Sequence, residues 1–149
     1  MNNLQITNSL SNKKEIFIPI NPKKISLYVC GPTVYDDPHV GNGRALVVFD
    51  LLYRVLIELF GKDKVAYVRN ITDIDDKIIE ASNKTKKSIS ELTLEVTKNG
   101  HSDCKSLFCL TPSKEPKATE HVDEMFSLWL VFFFSWGFFK LFFFFFCFF

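Results

Sequence analysis

The sequence has little of what marks several common protein classes. Its 149 residues include only 4 cysteines, too few for a small scaffold held by disulfides. Neither sign of charge dominates, since 18 Lys and Arg stand against 17 Asp and Glu, which excludes a polybasic nucleic-acid tail and an acidic disordered chain. Residues 1–11 lack the apolar run of a secretory signal peptide. These features predict a cytoplasmic protein with one globular domain.

Phenylalanine is the residue type that the sequence has in excess. Of 17 phenylalanines, 13 lie in residues 126–149, a stretch whose only charged residue is Lys140. We therefore divide the chain into a globular part, residues 1–125, and a Phe-rich hydrophobic tail, residues 126–149. The tail is long enough to span a bilayer, but its composition and its internal lysine argue against an evolved membrane helix. Because phenylalanine codons are T-rich, we interpret it as a non-native segment produced by a frameshift or by a mis-assembled T-rich stretch.

The globular part contains the pattern of a βαβ unit. Residues 25–30 and 64–71 are rich in β-branched and aromatic residues and predict two strands. Residues 44–60 repeat apolar residues at helical spacing, and Gly61 suits the end of that helix. Such units form parallel sheets that bind ligands at the carboxyl ends of the strands. We therefore predict a site for a phosphate-bearing ligand in the loop of residues 30–44.

Weaker patterns predict the remaining elements. Residues 15–20 are expected to form a short strand or an extended arm, and residues 73–81 a loop that enters a helix. Two further helices are predicted over residues 89–98 and 103–110, followed by a proline-containing loop over residues 111–116.

Three sequence blocks carry the functional information. The first has C-G-P-T-V-Y-D at residues 30–36 and H-V-G-N-G-R at residues 39–44, the second has Y-V-R-N-I-T-D-I-D-D-K at residues 67–77, and the third has E-P-K-A-T-E-H-V at residues 115–122. Neither G-x-G-x-x-G nor a P-loop occurs in the first block, which argues against a dinucleotide fold and a P-loop enzyme. Together the blocks resemble the cysteinyl-tRNA synthetases, a class I aminoacyl-tRNA synthetase family, whose H-I-G-H signature is similar to H-V-G-N.

The resemblance implies a fold and an activity. The fold would be α/β, a partial Rossmann-like nucleotide-binding fold of the class I synthetases. An intact family member activates cysteine with ATP and Mg²⁺ to cysteinyl-adenylate, transfers it to tRNA(Cys) and uses Zn²⁺ to bind the substrate thiol. This chain would be an N-terminal fragment, about the first quarter of such a protein. It would lack the anticodon-binding domain and be inactive alone.

The resemblance also assigns roles to individual residues. His39 and Asn42 would be catalytic, and Asn42, which replaces the second histidine of the signature, can donate a hydrogen bond but cannot carry positive charge. The implied ATP-binding residues are Pro32, Thr33, Tyr35, His39, Gly41 and Asn42. The implied pocket for substrate cysteine comprises Cys30, Gly31, Thr33 and Thr72. Cys30 would also be a zinc ligand, with the other protein ligands absent from this chain.

Simpler interpretations of these residues stay open. His39 could be a solvated loop histidine, Cys30 a buried strand-end cysteine, and Thr33 and Thr72 loop-capping residues. We interpret Cys104 and Cys109 as ordinary helix cysteines. Two further patterns are best explained by local structure. We interpret the acids Asp73, Asp75 and Asp76 as helix-start and loop residues. The K-T-K-K-S of residues 84–88 resembles a class I K-M-S-K-S loop, but its position in the chain is wrong for one, so we interpret it as a solvated turn.

Two other functions remain as alternatives. A cysteine ligase that joins cysteine to an amino-sugar acceptor would use the same adenylate chemistry. A non-catalytic, membrane-associated relic of a nucleotide-binding protein would make use of the Phe-rich tail, although the tail's composition makes membrane association the weaker interpretation.

Overall fold

The computed structural model describes residues 4–135. Within them the chain forms, in order, β1 (Gln5–Asn8), β2 (Lys13–Ile16), β3 (Ile25–Val29), α1 (Val40–Phe60), β4 (Val65–Arg69), α2 (Asp76–Thr85), α3 (Ile89–Ser106) and α4 (Val122–Ser135). Short 3₁₀ turns at Lys62–Lys64 and Ala118–His121 precede β4 and α4.

The predicted βαβ unit is confirmed. Strands β3 and β4 pair in parallel with Ile25 opposite Val65, and α1 is the crossover between them. Gly61 ends α1 with a φ of 93°, a backbone conformation that favours glycine. The predicted start of this helix was wrong by one turn, because His39 caps it and Val40 is already helical.

The predicted loop over residues 111–116 holds no helix or strand, but part of it and the residues just after it lie alongside the sheet through isolated bridges at Lys114 and Lys117. Residues 113–118 run parallel to β4 on the edge that β3 does not use. Five backbone hydrogen bonds join them to β4 and to Ile71 just beyond it. They run from Ser113 N and Lys114 N to Tyr67 O (2.7 and 3.3 Å), from Arg69 N to Lys114 O (3.1 Å), from Ile71 N to Pro116 O (2.9 Å) and from Ala118 N to Ile71 O (3.0 Å). Pro116 fits this edge because it contributes only its carbonyl oxygen. The strand β4 therefore lies at the centre of three extended segments.

The two helices predicted over residues 89–98 and 103–110 are one helix, α3. It continues through Gly100, whose helical cost is only about 1 kcal/mol, and it buries Leu92 and Val96. At the amino end of the chain, β1 and β2 form an antiparallel hairpin. The predicted strand or arm over residues 15–20 overlaps β2 only at its first residues.

Two apolar clusters hold these elements together. The larger lies between α1 and the sheet, and it comprises the buried residues Ile25, Val29, Tyr53, Leu56, Val65 and Tyr67. The smaller lies between α2, α3 and the loop after β3, and it comprises Val34, Ile78, Leu92 and Val96. The second cluster supports the loop that leads to His39, so it positions the first sequence block.

The predicted boundary at residue 125 falls inside α4. Most of the Phe-rich tail, residues 136–149, lies outside the described residues, so the division of the chain stays a prediction. Among residues 4–135 no helix is both long and apolar enough to cross a membrane.

Candidate functional site

A cavity of about 340 Å³ lies at the carboxyl ends of β3 and β4, where the βαβ pattern predicts a ligand site. Its wall includes Pro32, Thr33, Tyr35, His39 and Asn42 from the first block, Asn70 and Lys77 from the second, and Glu115 from the third. The three blocks, which are far apart in sequence, therefore converge on one cavity. Lys77 Nζ lies 5.5 Å from the centre of the Tyr35 ring, a cation–π contact that joins the first two blocks.

His39 is the N-cap of α1. Its Nδ1 accepts hydrogen bonds from the backbone N–H groups of Gly41 (3.0 Å) and Asn42 (3.4 Å). Asn42 Oδ1 in turn accepts a hydrogen bond from the His39 backbone N–H (3.1 Å), which completes a capping box. Because Nδ1 is an acceptor, the neutral ring carries its proton on Nε2. His39 is exposed, but this bonding makes it a structural cap rather than a free loop histidine.

Gly41 makes this cap possible. A Cβ at position 41 would lie 2.8 Å from Cε1 and 3.0 Å from Nδ1 of His39. A larger residue would push the imidazole away from the helix end. Gly41 itself is not part of the cavity wall, so its effect on the site acts through His39.

Asn70 joins the ends of the two strands, and sequence reasoning missed it. Its Oδ1 accepts a hydrogen bond from the Gly31 N–H (2.9 Å), and its Nδ2 donates to Thr72 Oγ1 (3.1 Å). Thr33 and Thr72 form a parallel bridge beside it. The structure thus brings together Gly31, Thr33 and Thr72 of the predicted cysteine pocket, although only Thr33 lines the cavity. The only available signal was a polar asparagine near the end of the strand predicted over residues 64–71.

Cys30 directly follows β3 and is exposed, so its interpretation as a buried cysteine is wrong. It is not part of the cavity wall. Residues 4–135 contain no group of three or more His, Cys, Asp or Glu side chains that could hold a metal ion. Zinc in proteins takes about four ligands. These residues therefore do not form a zinc site, and Cys30 as a single ligand stays a prediction.

An ion pair between the buried Arg69 and the half-buried Glu115 forms another part of the cavity wall. Arg69, only 6% exposed, donates from Nη2 to Glu115 Oε1 (2.6 Å), and Glu115 Oε2 contacts His101 Nε2 (2.9 Å). The pKa of Arg69 is raised: burial acts to lower it, but the hydrogen bond to Glu115 and nearby negative groups outweigh that effect. This pair ties β4 to residues 113–118. From the sequence alone, Arg69 and Glu115 had no assigned role beyond membership of the second and third blocks.

The local interpretations of the acidic and basic runs are confirmed. Asp75 caps α2 by accepting the Lys77 N–H (2.9 Å), and Asp73 accepts the Thr119 backbone N–H (3.0 Å) and hydroxyl (2.6 Å). Of the lysine-rich run of residues 84–88, Lys84 and Thr85 end α2, and residues 86–88 form the turn to α3, which Ser88 caps.

Comparisons with known proteins agree with this geometry. A family model described as the class I (C) tRNA synthetase catalytic domain matches residues 16–131. The chain is 54% identical over 123 residues to a cysteine–tRNA ligase of Pelagibacter ubique, which covers 83% of this chain and 27% of the relative. Over 126 residues it is 56% identical to a cysteine–tRNA ligase of Orientia tsutsugamushi, covering 85% of this chain and 26% of the relative.

A cysteine–tRNA ligase of Rickettsia bellii is 53% identical over 125 residues, with 84% of this chain and 27% of the relative covered. The chain thus spans about a quarter of the length of the curated relatives it matches. The family match covers the βαβ unit and all three blocks around the cavity. On this evidence the chain belongs to the class I (C) tRNA synthetase catalytic domain family.

Proposed function

We propose that this chain is the N-terminal part of a cysteine–tRNA ligase and that its cavity binds ATP. The observation that carries the proposal is the convergence of the three blocks on the cavity of about 340 Å³ at the strand ends. A cavity at this position of a parallel sheet, beside the N-terminus of a capped helix, suits a phosphate-bearing ligand. The names of the relatives supply the reaction class.

In this proposal His39 and Asn42 are the catalytic residues. His39 Nδ1 is used by the cap, which leaves its Nε2–H to donate to a phosphate oxygen of ATP. Asn42 Oδ1 is used by the His39 N–H, which leaves the amide N–H₂ as a second donor. Both donors are held by α1 before the ligand arrives. Preorganised donors of this kind stabilise charge that develops at a reacting phosphate.

The remaining residues of the site have supporting roles. Pro32, Thr33, Tyr35 and Gly41 would complete the ATP site, and Gly31, Thr33, Thr72 and Cys30 would form the pocket for substrate cysteine. Cys30 would contribute one thiolate toward Zn²⁺, a metal that selects a thiol over a hydroxyl. Because the described residues form no complete zinc site, we assign no step of the reaction to the metal.

The whole enzyme would activate cysteine with ATP and Mg²⁺ in the cytoplasm and transfer it to tRNA(Cys). We propose that this chain alone does not complete that reaction and that residues 126–149 arose by a frameshift. The amino-sugar ligase has no support among the relatives cited above, which are cysteine–tRNA ligases. Residues 4–135 contain no helix that could span a membrane, so they give the membrane-relic alternative no support.

A chimera tests the proposed function directly. The aligned 123 residues of this chain would replace their counterparts in the Pelagibacter ubique enzyme. We expect cysteine-dependent exchange of pyrophosphate into ATP by the chimera and none by this chain alone. A folded chimera that lacks exchange with every amino acid would contradict the proposed function. Exchange by this chain alone would contradict the proposal that it is inactive.

His39→Asn should weaken ATP binding to the full chain about tenfold, the loss expected for one hydrogen bond to a charged group. Asparagine is a strong N-cap, so the helix start should survive while the Nε2–H donor is lost. The measurement is titration calorimetry with MgATP. His121→Asn is the matched control, because His121 lies in the 3₁₀ turn before α4 and is not part of the cavity wall. Equal affinities for the two variants would argue against phosphate contact by His39.

Asn42→His should raise the exchange rate of the chimera, by about tenfold, with a smaller change in KM for ATP. A histidine can carry positive charge toward the reacting phosphate, which the amide cannot. Asn42→Gln is the control, since glutamine also serves in a capping box and keeps both the donor and the acceptor. A rate for Asn42→His at or below that of Asn42→Gln would show that the amide is fully competent.

A further inference from the structure

The carboxyl end of α3 has a feature that the proposed function does not use. Phe108 adopts a left-handed conformation with a φ of 57°. Its N–H donates to Lys105 O (3.0 Å), and the next N–H, of Cys109, donates to Cys104 O (3.0 Å). These two bonds around a left-handed residue define a Schellman motif.

Cys104 and Cys109 occupy the two positions of this motif whose side chains usually make an apolar contact. The bond from Cys109 N to Cys104 O is 3.0 Å long. With standard bond lengths, that bond keeps the two Cα atoms within about 7 Å of each other. Disulfides join Cα atoms about 4.4–6.8 Å apart. The helix end thus holds the Cα atoms of two cysteines, five residues apart in sequence, within about the separation that a disulfide can bridge.

The surroundings of the two sulfurs differ. Arg69 Nη1 lies 3.6 Å from Cys104 Sγ, where it can donate to a sulfur that carries negative charge during thiol exchange. Burial raises the pKa of the Cys109 thiol, and the Asp50 carboxylate adds to that effect. Cys104 is therefore the better placed of the two to attack first, with Cys109 following.

We propose that Cys104 and Cys109 form a redox-active dithiol that closes to an intramolecular disulfide by exchange with a low-molecular-weight disulfide. The Cys104 thiolate attacks one sulfur of the small disulfide, which forms a mixed disulfide and expels one small thiolate. The Cys109 thiolate then attacks the Cys104 sulfur and expels the second. Two protein thiols are oxidised, one small disulfide is reduced to two thiols, and the leaving thiolates take up the two protons. This chemistry requires neither ATP nor cysteine, so it stands apart from the proposed function.

The experiment uses the full chain with Cys30→Ser and Cys147→Ser, which leaves only the proposed pair. The protein is equilibrated with reduced glutathione and glutathione disulfide at a series of ratios, then quenched by alkylation and analysed by mass spectrometry. We expect a Cys104–Cys109 disulfide that is at least about tenfold more stable in the native chain than in the same chain in urea, because the folded helix end holds the thiols together. Equal stability in the two conditions, or glutathione adducts on both residues, would overturn the proposal.

A matched pair of variants at Phe108 tests whether the Schellman motif, rather than the short sequence separation of Cys104 and Cys109, stabilises the disulfide. Phe108 is 85% exposed, so its side chain contributes little to the core. Glycine favours the left-handed conformation, whereas valine strongly disfavours it. Phe108→Gly should keep the native disulfide stability, and Phe108→Val should lower it about tenfold toward the urea value. If both variants match the parent chain, the Schellman motif does not bring the thiols together and the proposal fails.

Discussion

Gly31→Ala is expected to lower the free energy of unfolding by about 3 kcal/mol or more. A Cβ at position 31 would lie 1.8 Å from the backbone carbonyl oxygen of Asn70 and 3.0 Å from its carbonyl carbon. A backbone oxygen cannot rotate away as a side chain can, so the ends of β3 and β4 would have to separate. That separation would also break the hydrogen bond from Gly31 N to Asn70 Oδ1 (2.9 Å).

Gly43→Ala is the matched control for this prediction. The nearest atom to a Cβ at position 43 is Leu107 Cδ1, at 3.6 Å, an ordinary contact distance. Gly43 lies inside α1, where alanine should stabilise the helix by about 0.5–1 kcal/mol. Urea unfolding of the full chain, followed by circular dichroism, measures both variants. If Gly31→Ala unfolded at the same urea concentration as the parent chain, the close approach of the two strand ends would be refuted.

Arg69→Met is expected to cost about 3–5 kcal/mol of stability, because it leaves the Glu115 carboxylate without its buried partner. The same change should weaken the attachment of residues 113–118 to β4, although their backbone hydrogen bonds to Tyr67 and Arg69 remain. Glu115→Leu should cost a similar amount by leaving Arg69 charged and buried. The double variant should lose clearly less than the sum of the two single losses, because neither charge then remains unpaired.

The exposed ion pair between Lys87 and Glu95 is the control. Both side chains are well exposed, so Lys87→Met should leave the urea midpoint close to that of the parent chain. Additive losses in the Arg69 and Glu115 cycle would indicate that the two residues act independently. A loss for Lys87→Met as large as that for Arg69→Met would show that burial does not set the cost.

The elements that the sequence predicted well are those whose signal is local. The strands β3 and β4 and the helix α1 have strong apolar patterns, and Gly61 marks the end of α1. The errors come from residues whose role depends on distant partners. His39 starts α1 one turn early through its bond to the Gly41 N–H. Residues 113–118 lie alongside β4 because β4 offers them a free edge, which no local pattern around Pro116 reveals.

The residues of the candidate site likewise fall into those that the sequence indicated and those that only the structure identified. The strand–loop–helix pattern pointed to the loop of residues 30–44, because such a loop faces the ligand edge of a parallel sheet. Within that loop, the resemblance to the class I synthetases singled out His39, Asn42 and Thr33. It could not point to Asn70, whose importance comes from bridging two strand ends 39 residues apart. The interpretation of Cys104 and Cys109 as ordinary helix cysteines is wrong for Cys109, which lies beyond the end of α3. A helical pattern does not show where the backbone turns left-handed.

By itself, the sequence determined the βαβ unit, the family and the three blocks that carry the chemistry, because apolar periodicity and motif order are properties of short segments. Only the tertiary structure decided that the blocks meet at one cavity, that His39 bonds through Nδ1 and leaves Nε2–H available, and that Arg69 is paired with Glu115. These depend on contacts between residues far apart along the chain. Such contacts form only when packing of the two apolar clusters brings the segments together and excludes water from the charged pair.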